Sequence, residues 1–162
     1  MTGIENYIEN SFSISKYLRS GEVKIDGKYS KEEITSFVED IDNMFLNNIN
    51  SYSMKSSYSK LYRGENSCLN TFNVNINNIE EGDVLISKGF ISTSKNEDLA
   101  KEYSSTGIML YIAFEKGVKG MEISNFSQDS DNNRFEEVLL NRNSSFRVDW
   151  VDEKEIGLTL LK

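Results

Sequence analysis

The hydrophobic pattern of this chain changes its period after the first third of the sequence, and that change limits the folds it can adopt. Before residue 50, apolar side chains recur every three or four residues; beyond residue 60, they stand in short runs between turn residues. The first pattern is typical of amphipathic helices and the second of strands. Helices followed by short successive strands predict an α+β fold with mainly antiparallel sheets, in preference to a doubly wound parallel sheet.

Two helices are predicted in the first part. One extends from Ile4 to the dipeptide Ser20–Gly21, although serines interrupt its apolar stripe. The other follows Ser30, which forms a capping-box pattern with Glu33. Its apolar stripe, typical of a helix face packed on a core, consists of Ile34, Phe37, Val38, Ile41, Met44 and Phe45.

The second part is predicted to contain eight short strands and one short helix, for which Ser94 is the expected cap with Glu97 three residues on. No composition shift marks a linker, so residues 1–162 are predicted to form a single domain, helical over 1–50 and mostly strands over 60–162. The predicted strands are Lys60–Gly64, Asp83–Ile86, Gly89–Thr93, Gly107–Phe114, Lys119–Ile123, Arg134–Leu140, Phe146–Val151 and Ile156–Leu161.

The composition excludes several common kinds of active site. The chain has no histidine and a single cysteine, so catalytic sites built on histidine, histidine zinc sites and internal disulfides are all excluded. Neither of the common glycine-rich phosphate loops occurs in the sequence. Any chemistry therefore falls to carboxylates, arginine, lysine, tyrosine, hydroxyls and backbone amides, and no metal is expected.

The charge balance bears on the partners. Eighteen basic and 26 acidic residues give a net charge of -8, which disfavours non-specific binding to nucleic acid or to an anionic membrane. The first residues are acidic where a secretory signal needs basic ones, and no stretch reaches membrane-spanning length. We expect a cytoplasmic monomer that acts elsewhere only if other machinery delivers it.

Three short motifs stand on predicted strands in a fixed order: Tyr62-Arg63-Gly64, then Gly89-Phe90-Ile91-Ser92-Thr93-Ser94, then Phe135-Glu136-Glu137-Val138-Leu139-Leu140. In this order they resemble the arginine, Ser-Thr-Ser and glutamate motifs of the mono-ADP-ribosyltransferases. The group in question includes the clostridial binary actin toxins and the Rho-modifying exoenzymes. The resemblance implies two small, mainly antiparallel sheets packed at a steep angle, with N-terminal helices, and NAD+ bound between the sheets as substrate.

The resemblance also implies roles for the motif residues. Glu137 would stabilise the oxocarbenium ribose, and Ser92 would fix the rotamer of that glutamate. Thr93 and Ser94 would hold the strand and cap the next helix. Arg63 would bind the pyrophosphate, since its planar donor fork suits phosphate oxygens. A site without histidine is sufficient, because nicotinamide leaves NAD+ without needing a protonating acid.

Further positions match the family outside the three motifs. The backbone of Gly64 would meet the nicotinamide amide, where a side chain would obstruct close approach. Arg19 would be a second phosphate clamp, in competition with a simple helix-dipole role. Tyr7 fits an aromatic near the adenine, and Tyr103 fits one that stacks on the nicotinamide, although a core position is an equal interpretation for Tyr103.

One position departs from the family pattern and leaves the acceptor open. Two residues before Glu137, where relatives usually carry glutamate or glutamine, this chain has Phe135. A phenyl ring neither accepts a proton nor hydrogen-bonds an amide. Three alternatives follow. Another carboxylate, such as Asp129 or Asp131, would activate the acceptor, or Phe135 would stack on the acceptor. In the third, water is the acceptor and the protein is an NAD+ glycohydrolase.

A catalytically silent module that binds NAD+ or a partner is the fourth alternative, because fold alone does not decide function. If the loop around residues 124–134 recognises a protein, Phe126 and Phe135 are the expected anchors. Transfer of ADP-ribose to a protein acceptor is the leading hypothesis, and nucleic acid is disfavoured by the charge. The biological setting that the resemblance implies is a phage-encoded or injected bacterial effector.

Overall fold

The computed structural model describes residues 3–21, 29–56, 58–66, 69–102, 104, 107–126 and 136–162. Three α-helices lie in this part of the chain: α1 (Gly3–Ser20), α2 (Lys31–Leu46) and the short α3 (Glu97–Lys101). Single turns of 3-10 helix lie at Ile76–Asn78 and Ser124–Phe126. The strands are β1 (Ser51–Tyr52), β2 (Leu61–Glu65), β3 (Val84–Ser87), β4 (Ile91–Ser94), β5 (Ile108–Phe114), β6 (Gly120–Glu122), β7 (Glu137–Leu140), β8 (Ser144–Val151) and β9 (Glu155–Leu160).

The nine strands form a mixed sheet in the order β1-β6-β7-β4-β2-β5-β9-β8-β3, in which only β5 and β9 pair in parallel. The α+β class is confirmed, but the count of sheets differs from the two that were expected. The half made of β1, β6, β7 and β4 joins the half made of the other five strands through one register pair, Tyr62 with Ser94. The hydrogen-bonded ladder is therefore continuous, although its junction is narrow.

Strand β7 is covered on both faces, as the alternation of its residues predicts. Val138 and Leu140 belong to a core built mainly from the sheet and from the segment 69–79. Leu139 belongs to a second core, formed with α1 and α2 and including Phe90 and Met121. Glu137, two residues before Leu139, therefore lies on the face that the N-terminal helices cover.

The capping box of α2 is confirmed, whereas the predicted cap of α3 is wrong. Ser30 Oγ accepts from the Glu33 amide at 3.1 Å, and the Glu33 carboxylate accepts from the Ser30 amide at 3.3 Å. At α3 the cap is Asn96, whose Oδ1 accepts from the amides of residues 98 and 99 at 3.0 and 3.2 Å. Ser94 lies two residues too early: its hydroxyl accepts from the Asn96 amide at 3.0 Å and holds the approach to the helix.

An ion pair fixes α2 to the turn between β7 and β8. The guanidinium of Arg142 binds both carboxylate oxygens of Asp42, with nitrogen-oxygen distances of 2.8 to 3.2 Å. Because the contact is bidentate, it fixes orientation as well as distance. The helix that covers the Glu137 face is thereby attached to the far end of the strand that carries Glu137.

Candidate active site

Glu137 and Ser92 lie on neighbouring antiparallel strands. Ser92 pairs in register with Leu139, and Ser94 pairs with Glu137, so Ser92 and Glu137 share one face of the sheet. The Ser92 hydroxyl hydrogen-bonds the Glu137 carboxylate. Thr93 points to the other face, where its hydroxyl donates to the Val138 carbonyl at 2.6 Å and ties the two strands together.

A tyrosine from α1 extends this contact into a chain of hydroxyl groups. The Tyr7 hydroxyl lies 3.2 Å from Ser92 Oγ. Each hydroxyl carries one proton, so if Ser92 donates to the Glu137 carboxylate, Tyr7 donates to Ser92. The three side chains thus form a hydrogen-bonded chain, called the Tyr7–Ser92–Glu137 relay below.

Arg63 lies beside the relay and is held on one side by the protein. Its Nη1 donates to the Ser92 carbonyl at 2.8 Å, and its Nε donates to Glu65 Oε1 at 3.0 Å and to Thr71 Oγ1 at 3.2 Å. The Arg63 side chain is 27% exposed, while that of Glu65 is 6% exposed. A guanidinium carries five N–H donors, and those not used in these contacts remain for an anionic ligand.

Glu65 and Thr71 are members of the site that lie outside the three sequence motifs. The Thr71 hydroxyl donates a hydrogen bond to the Glu65 carboxylate. Because both residues also accept from Arg63 Nε, they fix the orientation of the guanidinium. The position of Glu65 beside Arg63 could be predicted from the sequence, because residues two apart on a strand share a face. The position of Thr71 could not be predicted, since this residue belongs to an irregular segment whose path no local pattern predicts.

The arginine from α1 is brought close to the arginine of β2. Arg19 is half-buried in the last turn of α1. Burial, and then the charge of Arg63, lowers the pKa of Arg19. No hydrogen bond or ion pair to Arg19 occurs within the described part of the chain. Arg19 also lines a groove of about 580 Å³ together with Lys31, Lys88 and Arg142. Two guanidinium groups, Arg19 and Arg63, therefore lie close to each other, with the Glu65 carboxylate near both, in a chain of net charge -8.

Glu137 has an unusual proton affinity. Burial raises the pKa of its carboxyl group from 4.5 to about 7, against the opposing effects of the Ser92 hydrogen bond and the Arg63 charge. A perturbed carboxyl group close to a specific cation is typical of functional sites. At neutral pH this carboxyl group is poised to be either charged or protonated.

Gly64 is explained here by packing of the protein on itself. A Cβ at this position would lie 2.6 Å from the Ala100 carbonyl oxygen and 2.9 Å from the Cβ and the amide nitrogen of Ser104. The backbone of β2 thus approaches α3 and the residues after it too closely for any side chain. The expected contact of Gly64 with nicotinamide stays a prediction.

Of the other predicted site residues, two lie in or against the core and four lie outside the described residues. Tyr7 is 2% exposed and packs edge-on against Phe90, so its ring is part of the core; the adenine contact expected for it stays a prediction. Phe126 packs, half-buried, against the core of α1 and α2, which limits its use as a free anchor. The positions Tyr103, Phe135, Asp129 and Asp131 lie outside the described residues.

The sequence matches the family described as ADP-ribosyltransferase exoenzyme over residues 1–159. The chain therefore belongs to that family and is an NAD+-dependent ADP-ribosyltransferase, with NAD+ as its substrate. No curated protein sequence matches the chain.

Solved structures with the same fold include several toxins. Vis toxin from Vibrio splendidus superposes with a TM-score of 0.73 at 22% identity, over 99% of this chain and 71% of that one. An ADP-ribosyltransferase from Clostridium botulinum gives 0.70 at 19% identity, over 99% and 85%. Exoenzyme S from Pseudomonas aeruginosa, in complex with human 14-3-3 protein beta and bound to carba-NAD, gives 0.65 at 18% identity, over 98% and 70%. At these identities the likeness establishes the fold.

Neither a metal centre nor a membrane-spanning helix occurs among the described residues. In this part of the chain, no three His, Cys, Asp or Glu side chains come together in a way that could hold a metal ion. None of the helices in the described ranges combines the length and the apolar character needed to cross a membrane.

Proposed function

We propose that the chain transfers a single ADP-ribose from NAD+ to a protein acceptor, with Glu137, Ser92 and Arg63 as its principal site residues. The observation that carries the proposal is the Tyr7–Ser92–Glu137 relay beside a fixed guanidinium. This arrangement supports the proposal, because a carboxyl group and a guanidinium are each held in position on strands of the same sheet.

The proposed reaction has two steps, cleavage of NAD+ and transfer of ADP-ribose to the acceptor. The bond between the nicotinamide nitrogen and ribose C1′ breaks, its electron pair goes to the nicotinamide, and the ring leaves as a neutral molecule. Positive charge develops on the ribose, and the ionised Glu137 stabilises it. The acceptor nucleophile then forms a bond to C1′ and releases its proton.

The relay supports this role by limiting reorganisation. Ser92 keeps the Glu137 carboxylate from rotating away, and the buried Tyr7 keeps Ser92 in place. A group held in its reactive geometry contributes more to the transition state than one that must first be ordered. Tyr7 and Ser92 are thus positioning residues for Glu137.

The two phosphate groups of NAD+ are bound by Arg63 and Arg19. Arg63 is oriented by Glu65 and Thr71 and keeps donors for the pyrophosphate, while Arg19 supplies a second guanidinium from the end of α1. Mutual repulsion between the two arginines makes the unbound state less favourable, so a dianionic pyrophosphate between them is favoured.

The acceptor is proposed to be a protein that meets the enzyme in a target cell. The family and the toxins among its structural neighbours support such a setting. The net charge of -8 makes a nucleic acid an unfavourable acceptor. Vis has been captured with agmatine, a small guanidino compound, which suggests agmatine as a defined acceptor for tests.

The experiment measures release of nicotinamide and transfer of labelled ADP-ribose in parallel. NAD+ is supplied alone, with agmatine, and with a cell lysate, and labelled proteins are identified by mass spectrometry. Transfer to one or a few proteins supports the proposal. Rapid release that no acceptor changes, with no labelled protein, indicates an NAD+ glycohydrolase, and binding without release indicates a silent module.

A matched pair of variants tests the role of Glu137. Glu137→Gln keeps the shape and removes the charge, so turnover is expected to fall at least about a hundredfold while NAD+ binding persists. Glu136→Gln makes the same change at the adjacent, exposed position and is expected to keep most activity. Equal losses in the two variants, or turnover that survives Glu137→Gln, would contradict the assignment.

A further inference from the structure

Three aromatic side chains, Tyr62, Tyr111 and Trp150, form a row on the face of the sheet opposite Arg63. Tyr62 and Arg63 are consecutive on β2, so they point to opposite faces. Tyr62 pairs in register with Tyr111, which pairs with Gly157, which in turn pairs with Trp150. The ring centroids of Tyr62 and Tyr111 are 5.7 Å apart, and those of Tyr111 and Trp150 are 5.8 Å apart.

A glycine makes this aromatic row continuous. A Cβ on Gly157 would lie 2.1 Å from the indole Nε1 of Trp150 and 2.4 Å from its Cε2. The indole therefore lies directly over the backbone of β9 and reaches towards Tyr111. It is nevertheless 41% exposed, so one part of the ring faces solvent. Tyr and Trp are enriched at interfaces, because they combine a large apolar face with a polar group.

Two carboxylates flank the aromatic row and share one proton donor. The Tyr111 hydroxyl lies 2.9 Å from Glu97 Oε1 and 3.3 Å from Glu155 Oε1. A phenol has one proton, so it donates fully to only one of them at a time. Lys101 pairs with Glu97 at 3.3 Å, whereas Glu155 has no ion pair within the described ranges.

This part of the surface therefore combines π faces with two carboxylates, of which Glu155 has no ion pair among the described residues. Burial, followed by the Glu97 hydrogen bond and the two carboxylate charges, raises the pKa of Tyr111, so its phenol stays neutral and adds no charge of its own. A cation placed between the carboxylates and over the rings would relieve their repulsion. The surface is complementary to a positive group that is also flat.

We propose that the aromatic row, with Glu97 and Glu155, is a docking surface for an arginine side chain on a segment of a protein partner. A guanidinium stacks on aromatic faces and donates two parallel hydrogen bonds to a carboxylate, which an ammonium does not do. The acidic character of the whole chain favours approach of such a basic segment. The proposal does not depend on NAD+ chemistry, because none of its residues belongs to the proposed Glu137, Ser92 and Arg63 site, and Arg63 points to the opposite face of β2.

The test uses the only tryptophan in the sequence as its reporter. A terminally blocked peptide of alternating arginine and glycine is titrated into the full chain while Trp150 fluorescence is recorded, and calorimetry is run in parallel. A saturable signal below about 10 mM is expected, the range of a weak single-residue contact. The same peptide with lysine in place of arginine is expected to bind more weakly.

Variants separate docking from general electrostatic attraction. Glu155→Gln and Tyr62→Leu are each expected to weaken binding about threefold, as for an exposed ion pair or cation–π contact. Glu153→Gln removes the same charge from the same turn but no hydrogen bond to Tyr111, and it is expected to bind as the unchanged chain does. No saturable signal in either measurement, equal binding of the lysine peptide, or equal effects of the two glutamate variants would overturn the proposal.

Discussion

At the scale of single residues, the candidate site depends on one carboxyl group whose proton affinity is set by its surroundings. Glu137 is the first residue of β7, is shielded by the N-terminal helices and is held by Ser92. Burial disfavours its charged form, although the proposed chemistry needs that form. Activity and stability are therefore expected to respond to pH in opposite directions.

The activity is expected to increase with pH through neutrality. With the pKa of Glu137 raised to about 7, the ionised fraction grows about tenfold between pH 6 and pH 8, and kcat/KM should follow it. Nicotinamide release at low NAD+ concentration measures this quantity. Glu136→Gln should show the same profile as the unchanged chain, and a flat profile between pH 6 and 8 would contradict the assignment of Glu137.

The residues behind Arg63 are expected to control NAD+ binding. Glu65→Gln removes the charge from the acceptor that orients Arg63 Nε at 3.0 Å. A charge-assisted hydrogen bond contributes about 1.5–3 kcal/mol, so the KM for NAD+ should increase about tenfold or more. If Glu65 acts through Arg63, kcat should change much less than KM, and Glu65→Asp should restore part of the affinity. A fall in kcat alone would indicate a different role.

The sequence predicts the residues of this site better than it predicts their surroundings. Arg63, Ser92 and Glu137 belong to short motifs on strands, and strand alternation already places Glu137 on a covered face. Thr71 could not be predicted, because its contact with Glu65 depends on the tertiary path of an irregular segment. The burial of Tyr7 could not be predicted either, since a position on a helix stripe does not reveal how deeply the helix packs.

At the scale of elements, the helices were predictable from period and capping, whereas short strands were not. The α2 capping box and stripe correspond to the observed helix. The two-residue strand β1 lies in a polar stretch without alternation, so only its pairing with β6 defines it. The predicted cap of α3 failed because Ser94 and Asn96 are both good capping residues, and strand β4 extends through the first of them.

The cap of α3 gives a test at this scale. Asn96→Ala removes the acceptor of two helix amides and is expected to cost about 1 kcal/mol, or about 2–4 °C in Tm for a chain of this size. Thermal unfolding measures the loss. Asn78→Ala, on an exposed residue with no side-chain hydrogen bond in the described part of the chain, should leave Tm nearly unchanged. Similar losses in the two variants would contradict the role of Asn96.

At the scale of the whole molecule, the candidate site lies where the two halves of the sheet meet and where α1 packs on the half that carries Glu137. The sheet and its segment 69–79 form one core, and α1 and α2 form the other. Glu137 contacts the second core with a group that is costly to ionise there. Folding stability and the charge of the site are therefore linked.

The stability of the whole chain is expected to show that linkage. The pKa of Glu137 is raised from 4.5 to about 7, so above pH 4.5 the folded state binds the proton more tightly than the unfolded state. Stability from this group is therefore lost as the pH increases from 4.5 through 7. Glu137→Gln should raise Tm at pH 8 and have little effect near pH 4.5. A Tm difference that does not change with pH would contradict the shift.

The narrow junction of the sheet also sets a distance. Tyr62, Ser94 and Glu137 stand in one register row, so β2 with Arg63 and β7 with Glu137 are separated by two strand spacings, or about 9–10 Å. Main-chain hydrogen bonds set that spacing, and the side chains of Arg63 and Thr93 add hydrogen bonds across it to the carbonyls of Ser92 and Val138. β4 thus sets the distance between Arg63 and Glu137, the proposed phosphate-binding and ribose-binding groups. Side-chain changes along β4 would alter how tightly each group is held, whereas a one-residue insertion in β4 would shift the register of the two groups relative to each other.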